Sequence, residues 1–191
     1  MQRNFKVSLK KMIAEIEKRY SPLIFDERNI SEKDLMEIFK AASKAPSSYN
    51  EQPWLFYYAY RGSKAYEKLL ESMVSYNKAW ASTAPVLVLI CARKFYTFHQ
   101  QEYQHARFDT GTAVGFMLIQ AMHFGIYAHM LGGFDPNLVR SSLQLENSID
   151  IIAIMALGYP GNIDLLPEEL KKRAKTRSQR KEVTEIAKKL E

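Results

Sequence analysis

The sequence predicts an α+β domain, and three observations carry that reading. Helix-patterned and strand-patterned segments both recur along the 191 residues, without strict βαβ alternation. No GxGxxG motif links a strand to a helix, which argues against a Rossmann fold. Two apolar runs, residues 86–92 and 149–157, the second interrupted only by Asp150, have the composition of strands covered on both faces.

Each element has a local cause. Residues 8–18 place Leu9, Met12, Ile13 and Ile16 at helical spacing. Ser31-Glu32-Lys33-Asp34 resembles a capping box. It opens a helix that buries Leu35, Ile38 and Phe39 and ends near Lys44, before Pro46. Residues 54–60 are aromatic and β-leaning, so they predict a strand. A helix over 63–73 and a helical turn over 77–82 precede the strand at 86–92. Residues 94–105 are aromatic and polar, then rich in Gln, and lead into a long helix over 106–124. Val114, Phe116, Met117, Leu118, Ile119 and Met122 make that helix apolar nearly all round, which predicts a central position. Gly125 ends it, and a short strand follows over 126–131. Asp135 is placed to cap a helix running to about Leu145. Gly158-Tyr159-Pro160-Gly161 breaks the last strand, and a helical, basic extension runs over about 167–191. Length and the absence of repeats predict one domain over 1–191.

Composition excludes several classes. Apolar residues make up 47% of the chain, which is too many for a disordered protein. The apolar stretch 113–131 is interrupted by Gln120, His123, Gly125 and His129, so it reads as core rather than a membrane span. Gly111 and Gly115 have the spacing of a membrane dimer motif, but Arg107 and Asp109 beside them argue for close packing in a soluble protein. The N-terminus lacks the apolar run of a signal peptide, and a reducing cytoplasm is the expected compartment. The lone Cys91 sits in an apolar strand and is expected to be buried and inert. The four histidines have no metal-binding spacing, so no metal site is expected. The net charge of +6 lies entirely in residues 171–191, where nine basic residues meet three acidic ones. Three uses are open to that tail: a solvated surface, a nucleic-acid or anionic-surface patch, or a site for a small phosphate. It has no aromatic residue on which bases of a single strand would stack. No Walker loop, nucleophile elbow or CxxC occurs, so any enzymatic chemistry points to a cofactor.

Five segments, in order, resemble the FMN-dependent nitroreductase family. Ala45-Pro46-Ser47-Ser48-Tyr49-Asn50-Glu51-Gln52-Pro53-Trp54 matches the family's Ala-Pro-Ser-(Ser/x)-x-Asn-x-Gln-Pro-Trp segment. Arg19, Ser21 and Leu23 fall on its Arg-x-Ser-x-(Arg/Lys) pattern. Asp109-Thr110-Gly111-Thr112-Ala113, Gly132-Gly133-Phe134-Asp135-Pro136 and Ala156-Leu157-Gly158-Tyr159-Pro160-Gly161 resemble the start of the central helix, the segment after the short strand and the exit of the last core strand.

The resemblance implies a mainly antiparallel central sheet flanked by helices, a long buried central helix and an intertwined homodimer. It implies FMN as cofactor. Arg19, Tyr20 and Ser21 would hold the phosphate and ribityl chain, with Arg177, Arg180 and Lys181 adding charge. Pro46, Ser47, Ser48, Tyr49 and Asn50 would line the flavin from the partner subunit. Asn77 would meet the polar edge of the ring, and Leu131, Gly132 and Gly133 would bring backbone close to its N5 and O4. Leu23 and Trp80 stand where the family carries cations near the pyrimidine edge. The implied activity is NAD(P)H oxidation coupled, in ping-pong fashion, to reduction of a nitroaromatic or quinone. No side chain would act as a catalytic acid or base, and residues around Phe95, Tyr96 and Phe98 would form a lid. Two alternatives are another flavin reaction on the same scaffold, dehalogenation or flavin reduction, and a non-enzymatic nucleic-acid or anionic-surface binder working through the tail.

Overall fold

The computed structural model describes residues 12–176 and 179–190. It contains one four-stranded antiparallel sheet in the order β1-β2-β4-β3. The strands are β1 (Trp54–Tyr60), β2 (Val86–Arg93), β3 (Tyr127–Leu131) and β4 (Ile149–Gly158). The helices are α1 (Ala14–Lys18), α2 (Glu32–Ala42), α3 (Lys64–Ser72), α4 (Ser75–Ala81), α5 (Ala106–His123), α6 (Pro136–Leu143), α7 (Glu168–Lys175) and α8 (Val183–Ile186). No helix among the described residues is long and apolar enough to cross a membrane.

The sheet divides the core in two. In β2, Leu87, Leu89 and Cys91 join one apolar cluster, while Val86, Val88 and Ile90 join the other. This is the two-residue period of a strand buried on both faces. The first cluster packs the segment Leu23-Ile24-Phe25, the apolar faces of α3, α4 and α6, and Leu170 of α7. The second packs α2 and α5. Between Ile90 and Cys91 the register with β4 slips by one residue, because Ala153 and Ile151 are the successive partners. That irregularity bends the strands locally.

Sequence signals set most boundaries. The Ser31 hydroxyl accepts the Asp34 N–H and starts α2. The Ser63 hydroxyl starts α3 in the same way, and Asp135 caps α6 through Asn137 and Leu138 N–H. Cys91 is fully buried, and burial pushes its thiol up to about 12. Three expectations are adjusted. The N-terminal helix begins at Ala14, and residues 8–11 of the expected segment lie outside the described residues. α6 stops at Leu143, where Gln144 turns left-handed at φ 54°. α5 is buried along Ala106, Asp109, Ala113, Val114, Met117 and Ala121, but its other side leaves Phe108 75% exposed, with Phe116 and Ile119 also open. An apolar helix needs cover on every side, and a single chain supplies it on one.

Tyr66 of α3 ties α3 to the end of α4. Its ring is buried, and its hydroxyl donates to the Ala84 carbonyl at 2.6 Å, with the Ser82 carbonyl at 3.2 Å. Burial pushes this phenol up to about 12, so it remains a donor throughout the working pH range. Tyr66→Phe leaves buried carbonyls unpartnered and should cost about 1–3 kcal/mol. Urea unfolding should show a lower midpoint at unchanged slope.

Candidate functional site

Two groups of residues singled out by the sequence take separate positions. The first lines a cavity of about 610 Å³ bounded by Glu17, Arg19, Tyr20, Ser21, Leu23, His129, Arg173 and Arg180, among others. Arg19, Tyr20 and Ser21 leave α1 in extended backbone, starting with Arg19 at ψ 128°. Leu23 follows and is 4% exposed, so it is at once cavity floor and core. α7 brings Arg173, and the chain beyond it brings Arg180. Arg173 donates to the Tyr76 hydroxyl and lies 5.3 Å from the centre of that ring, which aims the guanidinium from α7 toward α4. Three guanidinium groups thus surround one cavity with a single carboxylate, that of Glu17. Like charges are not gathered this way for stability; the arrangement suits an anion.

α4 and the turn after β3 meet each other outside that lining. The Gly133 carbonyl accepts from Val74 N–H and from Asn77 Nδ2, both at 3.1 Å. A Cβ on Gly133 would come within 2.6 Å of Asn77 Nδ2, so only glycine permits this approach. A Cβ on Gly132 would meet nothing within 4 Å. The Gly132 carbonyl accepts from Phe134 N–H, while neither glycine N–H donates in that turn. Leu131 is buried and belongs to the core cluster on this side of the sheet. Trp80 is 1% exposed and stacks on His129 with ring centres 4.1 Å apart. Its indole N–H is buried without a hydrogen-bond partner among the described residues. The His129 Nδ1 lies 2.8 Å from the Pro22 carbonyl. A carbonyl only accepts, so Nδ1 carries the hydrogen. Burial lowers the pKa of His129, the Pro22 bond opposes that, and Arg173 and Arg19 lower it further.

The second group is the loop between α2 and β1. Pro46, Ser47, Ser48, Tyr49 and Asn50 do not line the arginine cavity. The loop leaves α2 on the other face of the sheet, beside Ala45 in the second core cluster. Tyr49, Asn50 and Gln52 all hold positive φ, at 52°, 58° and 49°. Non-glycine residues adopt this region at a cost of about 1 kcal/mol or more each, and such strain persists only where surroundings impose it. Here they do. The buried Asp109 carboxylate accepts the Ser48 N–H at 2.9 Å and the Tyr103 hydroxyl. The Ser47 hydroxyl accepts the Gln52 N–H at 3.0 Å. The Glu51 carboxylate accepts both the N–H and the hydroxyl of Thr97. The aromatic segment is therefore fastened to the loop: Tyr96 stacks on Tyr103 at 4.3 Å, and Tyr49 packs edge-on against Tyr96 and Phe98. Burial and the Asp109 carboxylate raise the Tyr103 pKa, which keeps its hydroxyl a donor.

Among the remaining expected residues, Lys181 is exposed and outside the cavity lining. Arg177 lies outside the described residues. Arg173 and His129 are cavity residues that motif reading passed over. Arg173 stood in the basic run without a distinguishing neighbour, and His129 appeared only as an interruption of an apolar stretch.

The nitroreductase family profile matches residues 16–159, and the chain belongs to that family. A relative from Archaeoglobus fulgidus is 27% identical over 146 residues, covering 74% of this chain and 81% of that protein. The oxygen-insensitive NADPH nitroreductase of Helicobacter pylori is 25% identical over 179 residues, covering 75% of this chain and 84% of its own. Among solved structures, one described as an oxidoreductase containing FMN superposes with a TM-score of 0.87 at 27% identity, covering 98% of this chain and 96% of that one.

The Asp109 latch is testable on its own. Asp109→Ala leaves the Ser48 N–H without its acceptor and the Tyr103 hydroxyl with only the Ser48 carbonyl, at 3.2 Å, so a loss of about 1–3 kcal/mol is expected in urea unfolding. Native-state proteolysis at the loop around Tyr49 should accelerate. Tyr103→Phe, which leaves no orphaned donor, should be milder on both measures.

Proposed function

We propose that the chain is an FMN-dependent oxidoreductase that takes electrons from NAD(P)H and passes them to an electron-poor aromatic acceptor, a nitroaromatic or a quinone. The observation that carries this reading is the convergence of Arg19, Arg173 and Arg180 with Ser21 on one cavity. A phosphate monoester carries nearly two charges and accepts bidentate guanidinium contacts. FMN ends in such a group, whereas FAD bridges it to a nucleotide. The cavity chemistry therefore fits FMN. The names of the Helicobacter relative and of the FMN-containing structure support the same reading.

Bound FMN supplies two-electron transfer chemistry in alternation between donor and acceptor. The chain's own residues bind and orient. Arg19, Arg173 and Arg180 would neutralise the phosphate, and Ser21 would donate to it or to the ribityl chain. The Gly132 segment, open where a side chain would otherwise stand, would let backbone approach a flat ring. Asn77, held by Gly133, would offer amide atoms to the ring's polar edge. None of these residues is asked to move a proton to substrate.

The sheet stands between the arginine cavity and the loop at 46–50, so the loop would serve the cavity of a second copy. The exposed apolar side of α5 would be covered by the same association. The proposed assembly is a homodimer with two composite sites. Static light scattering should then give about twice the chain mass of 22.1 kDa at every accessible concentration. A flavin-bound monomer would contradict it.

The cofactor is checked by heating purified protein and identifying the released flavin chromatographically; FAD, or none after reconstitution, would overturn the proposal. Arg19→Ala, and Arg180→Ala combined with Lys181→Ala, should each weaken FMN binding roughly ten- to a hundredfold, read by quenching of flavin fluorescence. Circular dichroism should be unchanged.

A further inference from the structure

His129 has features that the reading above does not use. It is the one titratable side chain of β3 in the arginine cavity. Its ring is fixed in two ways: Nδ1–H is committed to the Pro22 carbonyl, and one face lies on Trp80. Only Nε2 is left for the cavity. With the hydrogen on Nδ1, that atom is a bare acceptor in the neutral ring. The groups around it are Arg19, Tyr20, Ser21 and Glu17 from the chain at and after α1, Arg173 from α7, and Arg180 beyond. Trp80 faces it from α4. An acceptor nitrogen among three guanidinium groups cannot hydrogen-bond an oxygen of a phosphate dianion, because both are acceptors. It can do so once protonated.

We infer that His129 is a proton-coupled phosphate ligand: neutral in the free cavity, it takes a proton from solvent at Nε2 as a phosphate monoester enters, and donates that N–H to it. The inference rests on the FMN reading for the identity of the ligand, but its chemistry needs only the phosphate. Three effects give it direction. In the free cavity, burial and the positive charges of Arg173 and Arg19 oppose protonation. A bound dianion reverses the local field and favours the imidazolium. The stacked indole of Trp80 then carries a cation over its face, which offsets part of the desolvation. The Pro22 bond is kept in both states, so the ring need not turn.

The sign is fixed by linkage. A group whose pKa rises on binding strengthens binding as pH falls through the interval between its free and bound values, by up to about tenfold per pH unit. The phosphate's own second ionisation, near 6, acts oppositely, because the monoanion binds more weakly. The two nearly cancel in the wild-type protein and separate in a variant that cannot titrate. His129→Gln keeps a side-chain amide donor and does not titrate. His129→Phe keeps the stack on Trp80 and removes the donor.

The test has two parts, both on the full chain. The first is NMR titration of ¹³C-labelled histidine in flavin-free protein, alone and with inorganic phosphate or FMN, the His129 signal being assigned by its loss in His129→Gln. The midpoint should rise by about one pH unit or more with either ligand. The second is FMN affinity from pH 5.5 to 8.5 by fluorescence quenching. Wild type should exceed His129→Phe by about tenfold at pH 6 and by less than about threefold at pH 8.5. His129→Gln should bind almost as wild type at high pH and lose affinity below pH 6. If FMN does not bind but inorganic phosphate raises the midpoint, the FMN reading falls and the phosphate ligand stands. A midpoint that neither ligand moves, or identical pH profiles for wild type and His129→Gln, overturns the inference.

Discussion

The rest of the structure depends on the burial of β2 on both faces. A strand covered on one side permits a two-layer domain. β2, with Leu87, Leu89 and Cys91 turned one way and Val86, Val88 and Ile90 the other, requires a layer of helices on each side. That requirement distributes the functional segments. The chain from Arg19 to Phe25, with α4, α7 and the turn after β3, is drawn to the first face. α2, α5 and the strained loop are drawn to the second. The sequence singled out residues in both groups, yet a sheet separates them. The proposed two-chain site is therefore a consequence of how the core is built. The apolar side of α5, with Phe108, Phe116 and Ile119 uncovered in the single chain, would give that association a driving force.

Elements were legible where one residue decides them. Ser31, Ser63 and Asp135 satisfy the first N–H groups of their helices, so composition alone placed those starts. The run through Ile90 reads as a doubly covered strand because no polar residue interrupts it. Gly133 was legible as part of a motif, but its reason is Asn77, whose amide donates to the Gly133 carbonyl at 3.1 Å across 56 residues of sequence and stands where a Cβ would lie. Arg173 and His129 were not legible for the same kind of reason. One is one of nine cations in a basic tail, the other a polar break in an apolar stretch. What distinguishes them is proximity to Tyr76 and to Trp80, which the fold creates. Local chemistry sets local structure; a site assembled from four elements is set by packing.

The charge of the chain is arranged along one axis of the proposed cofactor. All of the net +6 resides in the last 21 residues, and α7 carries part of it into the cavity through Arg173. That makes the phosphate end strongly cationic. The ring end differs. Leu23 and Trp80, which the family resemblance would set near the pyrimidine edge, are both core residues, 4% and 1% exposed. They are not surface substitutions that a neighbouring lysine could replace. Leu23 packs with Ile24 and Phe25 against the first core cluster, and Trp80 anchors the end of α4.

This division has an energetic consequence. A guanidinium introduced at residue 23 would have to be desolvated within the core or displace the segment that presents Arg19 and Ser21, and unpaired charges are not buried cheaply. The apolar ring edge and the cationic phosphate end are thus coupled through the same short segment, residues 19–25. On the proposed reading, affinity for the cofactor would be concentrated in its tail. Charge developing on the ring during reduction would find its donors in backbone N–H groups near Gly132, in Asn77 and in the unpartnered indole N–H of Trp80, rather than in a formal cation. Neutral donors stabilise a developing anion less than a cation does. On the proposed FMN reading, this arrangement would hold the flavin chiefly by its phosphate and leave the ring without a formal cation to favour its reduction.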